Sequence, residues 1–104
     1  MKNNDPWEDP NPWHPITDST DLKTLGKLTE ELGELTAAVS RCIIQGVNEA
    51  HPTTGEINRD WLTDEMADVW ANLELVVERF NLDLPLMRAR KARKKAHLKI
   101  WHQL

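Results

Sequence analysis

Cysteine occurs once in this chain, at Cys42, so no internal disulfide can form. Cys42 lies in a helical apolar run and reads as core packing, and a reducing cytoplasm is the expected compartment. No apolar run approaches the roughly 20 residues of a membrane span. Met1-Lys2-Asn3-Asn4-Asp5 has no apolar stretch behind it, so no signal peptide is expected. The Glu-x-x-His pairs of di-iron carboxylate bundles are missing, which disfavours redox iron. His14, His51, His97 and His102 are not suitably spaced from a carboxylate pair, and one cysteine excludes a structural zinc cluster. There is no Walker-type glycine-rich loop and no Gly-x-Ser-x-Gly elbow. At 104 residues, with 39% hydrophobic and 29% charged residues, the chain reads as one soluble globular domain spanning 1–104.

The most informative stretch is Glu30-Glu31-Leu32-Gly33-Glu34, three carboxylates set in a leucine-rich pattern. Leu25, Leu28, Leu32, Leu35 and Val39 recur at three- and four-residue spacing, the mark of an amphipathic helix. Glu31 and Glu34 share a helix face at the edge of that stripe, and Glu65 and Asp68 repeat the arrangement on a later helix. Each like-charged pair costs roughly 0.2–0.5 kcal/mol in an isolated helix. Two such pairs beside apolar stripes call for a counter-charge. An all-oxygen site for Mg²⁺, or Mn²⁺, is the simplest one.

Residues 1–16 form an extended arm, because Pro6, Pro10, Pro12 and Pro15, interleaved with Trp7 and Trp13, exclude regular helix or central strand. The tryptophans suggest that the arm docks on the helices or on a neighbouring chain. Asp18 or Ser19 is the expected cap of a first helix, with Asp21 in its first turn and Gly46 closing it. Gly26 and Gly33 lie inside that helix at a cost of up to about 1 kcal/mol each against alanine, so close packing by another helix is their expected reason. A loop over 47–58 leads to a second helix from Asn58 or Asp60, striped by Leu62, Met66, Val69, Leu73, Val76 or Val77, and Phe80. Trp61, Glu65, Asp68 and Asn72 lie on one mostly polar face beside that stripe. Asp83 and Pro85 open a third helix running to about Trp101. The fold is expected to be all-α: a bundle of amphipathic helices completed by oligomerisation, because three helices of this length do not easily enclose a core alone.

The net charge of −4 hides an asymmetry. Residues 1–87 carry 6 basic and 17 acidic groups, a balance of −11, whereas residues 88–104 carry 7 basic groups and no acidic one. A Mg²⁺ cluster with a basic helix nearby suits phosphate chemistry, the metal bridging phosphate oxygens and lowering the pKa of a bound water. Arg90, Lys91 and Lys94 are the preferred phosphate contacts, with Lys27 close to the face of Glu31 and Glu34.

Glu-Glu-x-x-Glu at 30–34 followed by Glu-x-x-Asp at 65–68 resembles the signature of the MazG-like all-α nucleoside triphosphate pyrophosphohydrolases. The flanking Gly26-Lys27-Leu28, Ser40-Arg41-Cys42-Ile43-Ile44-Gln45-Gly46 and Asn58-Arg59-Asp60-Trp61-Leu62 are similar to small phage and prophage-encoded members, and the resemblance covers about residues 13–101. The 30 residues between Glu34 and Glu65 are slightly more than that family's usual spacing. The resemblance implies cleavage of a (deoxy)nucleoside triphosphate between the α and β phosphates, releasing a monophosphate and pyrophosphate. It implies Glu31, Glu34, Glu65 and Asp68 as Mg²⁺ ligands, Glu30 as an outer group or a water-orienting one, and Asn72 as a sugar or phosphate contact. Trp13, His14 and Trp61 are the implied contacts to the base, together with groups from a neighbouring subunit. The expected enzyme is a homodimer or homotetramer. Two alternatives are a non-catalytic helical interaction protein and a nucleic-acid binder using the basic helix, the second disfavoured because the acidic body would repel a polyanion.

Overall fold

The computed structural model describes residue 8 and residues 10–104. Pro6 and Trp7 of the expected arm lie outside the described residues. The described part is all-α: α1 (Ser19–Gln45), α2 (Asn58–Phe80) and α3 (Leu84–His102).

Local chemistry sets the ends of each helix. Asp18 caps α1, its Oδ1 accepting from the Asp21 backbone N–H at 2.9 Å and satisfying one of the orphan donors of the first turn. Gly46 closes α1 with its N–H on the Cys42 carbonyl, at φ 106° and ψ 146°, a conformation that favours glycine. A Cβ there would also meet the Glu49 side chain at 3.2 Å. Asn81 ends α2 in the left-handed conformation, and two residues later Asp83 caps α3 by accepting from the Leu86 N–H at 2.9 Å. Pro85 sits in the first turn of α3, where its missing N–H costs nothing.

α1 and α2 pack against each other as a hairpin, and α3 packs substantially on neither. The principal extents are 65 × 36 × 29 Å and the radius of gyration is 19.7 Å. A compact domain of this length would have a radius of gyration of about 13 Å. The enclosed core is correspondingly small: among the described residues the buried apolar ones are Ala38 on α1 and Val69 and Val76 on α2. Of the two predicted stripes, Leu25, Leu28, Leu35, Leu62, Val77 and Phe80 are half-buried, whereas Leu32, Val39, Met66 and Leu73 remain exposed. One partner helix covers an arc narrower than the stripe, which accounts for the difference. The described residues do not form a closed bundle by themselves.

The predicted loop is tied down by its own polar groups. Ala50 and Ile57 form an isolated antiparallel bridge, and His51 Nδ1 accepts from the N–H groups of Thr53 and Thr54, both at 3.1 Å. Asn58 is the most buried polar side chain described, at 1% exposure. Its Nδ2 donates to the Gly46 carbonyl at 3.0 Å and to Gln45 Oε1 at 3.2 Å, locking the start of α2 onto the end of α1. Cys42 is half-buried, its thiol donating to the Asn58 carbonyl at 3.8 Å. At the other end of the hairpin, Arg79 on α2 donates to Asp21 Oδ1 at 2.6 Å and to Asp18 Oδ1 at 3.1 Å. A guanidinium in the last turn of α2 therefore clasps both acidic groups at the start of α1. That placement suits both helix dipoles.

Gly26 and Gly33 have nothing within 4 Å of where a Cβ would stand. Among the described residues, the close helix packing expected at these glycines is absent. Among the described residues no helix is long and apolar enough to cross a membrane.

Candidate functional site

The antiparallel pairing of α1 and α2 brings the two predicted acidic pairs together across the hairpin. Carboxylate oxygens of Glu31, Glu65 and Asp68 all lie within 4.8 Å of one another. Glu31 and Glu65 are half-buried and Asp68 is exposed. One oxygen of Glu31 and one of Glu65 (Oε2 in each) are shut off from solvent and have no hydrogen-bond partner. Buried carboxylate oxygens without donors are unfavourable, because neither water nor protein replaces the lost solvation.

The electrostatics follow. Burial raises the pKa of Glu31 above the usual carboxylate range, the charges of Glu34 and Asp68 raise it further, and Lys27 opposes them. Burial is also the largest cause of the upward shift at Glu65, followed by the charge of Glu34, with the Trp61 side chain acting in the opposite direction. Glu34 is not one of those three residues, yet its side chain lies close enough to Glu31 and Glu65 to raise the pKa of both through its charge and through hydrogen bonding. The arrangement is a concentrated, hard-oxygen acidic site with unsatisfied acceptors. Its donor set fits a divalent cation such as Mg²⁺ or Mn²⁺, which would supply the missing counter-charge.

An open groove of about 440 Å³ adjoins this site, between the first half of α1 and the second half of α2. Lys23, Lys27, Asn72, Leu75 and Arg79 are among its lining residues. Lys27 links groove and site, since it pairs with Glu30 at 3.2 Å and lies within electrostatic reach of Glu31 and Glu34. Asn72 does so from the other helix, its Nδ2 donating to the Asp68 carbonyl at 2.8 Å. Trp61 is half-buried beneath the Arg41 guanidinium, 5.7 Å from the ring centroid, and also borders Glu65.

Other predicted contacts are not gathered here by a single chain. Arg90, Lys91 and Lys94 ride on α3, which packs substantially on neither hairpin helix. Lys94 instead lies 5.6 Å over Trp101, whose ring also meets His97 at 5.0 Å. Trp13 is 77% exposed and His14 is exposed, both in the segment before α1 that has no regular secondary structure. Conversely, Lys23 and Arg79 were not singled out by motif or spacing, though Arg79 as the lone base in the last turn of α2 was a usable signal. No family model, curated protein or solved structure matches this chain. The likeness to MazG-like enzymes therefore rests on the carboxylate motifs and the text around them.

Proposed function

We propose that the chain is a divalent-metal-dependent nucleotide pyrophosphohydrolase of MazG-like type, cleaving a nucleoside triphosphate between its α and β phosphates. The observation that carries this reading is the meeting of Glu31, Glu65 and Asp68 with two buried, unpartnered carboxylate oxygens. Those three residues, with Glu34 beside them, would hold Mg²⁺ or Mn²⁺. When bound, such a cation neutralises phosphate charge and makes a coordinated water more acidic. In the reaction, water adds to the α phosphorus, the α–β phosphoanhydride bond breaks, and monophosphate and pyrophosphate leave with the released proton.

The chain's own side chains supply the rest. Lys23 and Lys27 line the groove where the triphosphate would lie, and an ammonium there offsets phosphate charge. Asn72 gives one of its two amide hydrogens to the Asp68 carbonyl, which leaves the other hydrogen and its side-chain oxygen for a sugar hydroxyl. Glu30 is exposed and engaged with Lys27, suited to an outer role. The enzyme works on the cytoplasmic nucleotide pool as a homodimer or homotetramer.

The test is pyrophosphate release from a panel of ribo- and deoxyribonucleoside triphosphates, with Mg²⁺ and with chelator, for wild type and Glu34→Ala. Metal-dependent release that disappears in the folded variant is expected; undiminished release by the variant would refute the assignment. A second reading, a non-catalytic helical interaction protein, draws on the 20 large apolar side chains exposed among the described residues. It predicts no Mg²⁺ response.

A further inference from the structure

The whole length of α3 stands open: from Leu84 to His102 only Leu98 is half-buried, and every other residue is exposed. The helix packs substantially on neither α1 nor α2. None of the seven bases of residues 88–104 makes an ion pair with a described residue. Asp83, which caps α3, is the last acidic residue of the chain. At 1.5 Å per residue, Arg93 to Lys99 lie about 15–24 Å beyond it, farther than the roughly 8 Å over which charge acts at physiological salt. Repulsion by the acidic body disfavours a polyanionic partner from sequence alone. Along the distal half of α3 that repulsion is screened.

The bases are also arranged about a face. Ala89, Ala92 and Ala96 share one side of α3 at three- and four-residue spacing. At about 100° per residue, Arg88, Lys95 and Lys99 fall within about 90° on one side of that face and Arg93 on the other, with Arg90 farther round. Behind, Lys94 lies 5.6 Å over the Trp101 ring, and His97 meets the same ring at 5.0 Å. A small-residue face with cations along both edges matches a groove whose two walls are lined with phosphate.

We infer that α3 is a docking helix for duplex DNA, its alanine face toward the groove floor. Arg88, Lys95 and Lys99 reach the phosphates of one strand and Arg93 those of the other. The major groove of B-form DNA, about 12 Å wide, admits an α-helix. Short alanine side chains let the backbone sit deep, where their methyl groups can meet those of thymine. That face carries no hydrogen-bonding side chain, so phosphate contacts dominate and sequence is read weakly. Duplex RNA is a poorer partner, because its major groove is too narrow. An anionic membrane is poorer too: an interfacial helix needs a broad apolar face, and Lys91 and Lys94 interrupt the arc of Met87, Leu98 and Trp101.

The test is fluorescence anisotropy of a labelled DNA duplex titrated with the full chain in chelator, between about 50 and 200 mM salt. Chelator keeps metal from bridging DNA phosphates to Glu31, Glu65 and Asp68. Four phosphate contacts predict a slope of log K on log salt of about −3.6, hence about 150-fold weaker binding across that range. Arg88→Gln with Lys95→Gln and Lys99→Gln should bring the slope to about −0.9. Ala92→Glu keeps every base but sets a carboxylate at the groove floor, and should weaken binding at least about tenfold. Lys91→Gln with Lys94→Gln, away from the alanine face, should change the slope by less than about 1. Gln and Glu are good helix formers, so circular dichroism should show helicity retained in all three variants. No uptake at the lowest salt, a salt-independent affinity, or wild-type binding by Ala92→Glu would each overturn the proposal. So would equal losses from the alanine-edge and the Lys91, Lys94 variants, or tighter binding to duplex RNA or to phosphatidylserine vesicles. DNA binding is read in chelator and pyrophosphate release in Mg²⁺, so this inference and the enzyme reading can each fail alone.

Discussion

Glu31 of α1 and Glu65 of α2 face each other across the hairpin, and each holds a carboxylate oxygen that meets neither solvent nor a donor. Both pKa values are raised, burial being the main cause. The pair therefore works against folding at neutral pH until something positive binds. Mg²⁺ should raise the melting temperature by several degrees at neutral pH, as any ligand of the native state does. Glu31→Gln or Glu65→Gln should do the reverse of an ordinary damaging mutation: raise the metal-free melting temperature and abolish the Mg²⁺ response. Differential scanning fluorimetry with Mg²⁺ and with chelator checks both directions.

The groove gives a second expectation. Lys27 joins the carboxylates to the space lined by Lys23 and Asn72. Replacing a cation that meets a phosphate oxygen costs about a factor of ten in binding. Lys27→Ala and Lys23→Ala should each raise KM for the triphosphate by about tenfold while kcat changes little. A fall confined to kcat would place the lysines elsewhere in the reaction.

Acid should loosen the opposite end of the hairpin. The Asp18 carboxyl is held below its ordinary value of 3.8, chiefly by the Asp21 backbone N–H and further by Arg79. A carboxyl with a depressed pKa contributes stability that is fully present above the unfolded value and is lost as pH falls through the folded one. Asp18→Asn keeps a competent cap but removes the charge facing Arg79. The variant should melt lower than wild type at pH 7, and the gap should close below about pH 3.8. Thermal melts between pH 2.5 and 7 read this directly.

These expectations show which features were legible in the sequence. Asp18, Gly46, Asp83 and Pro85 act on neighbours three or four residues away, so the helix boundaries could be read from local spacing. The carboxylate pairs were legible for the same reason, and their meeting followed once α1 and α2 paired. What spacing does not encode is which arc of a stripe a neighbour covers. Leu32, Val39, Met66 and Leu73 read as core and stand exposed, because within one chain each hairpin helix has a single partner. Arg79 finds Asp21 and Asp18 across 58 and 61 residues, a contact with no local signature. The same holds for α3: its basic residues were legible as a group, but their distance from the carboxylates was not.

Asn58 is the sharpest case, because the residue that starts α2, as its sequence position suggests, is also the polar centre of the α1–α2 junction. Its Nδ2 satisfies the Gly46 carbonyl and Gln45 Oε1, and its backbone N–H donates to the Glu49 carbonyl at 2.9 Å. Removing the side chain leaves the Gly46 carbonyl without that donor at a closed site. Asn58→Ala should cost about 1–3 kcal/mol, which for a domain of this size lowers the melting temperature by roughly 4–8 °C per kcal/mol. Asn48→Ala removes an exposed acceptor of Arg59 in the same loop, at 2.9 Å, and should change stability by less than about 0.5 kcal/mol. The two substitutions delete the same side-chain amide ten residues apart and differ in burial. Equal effects on urea unfolding would mean that the junction is held by the loop backbone, not by the amide at its centre.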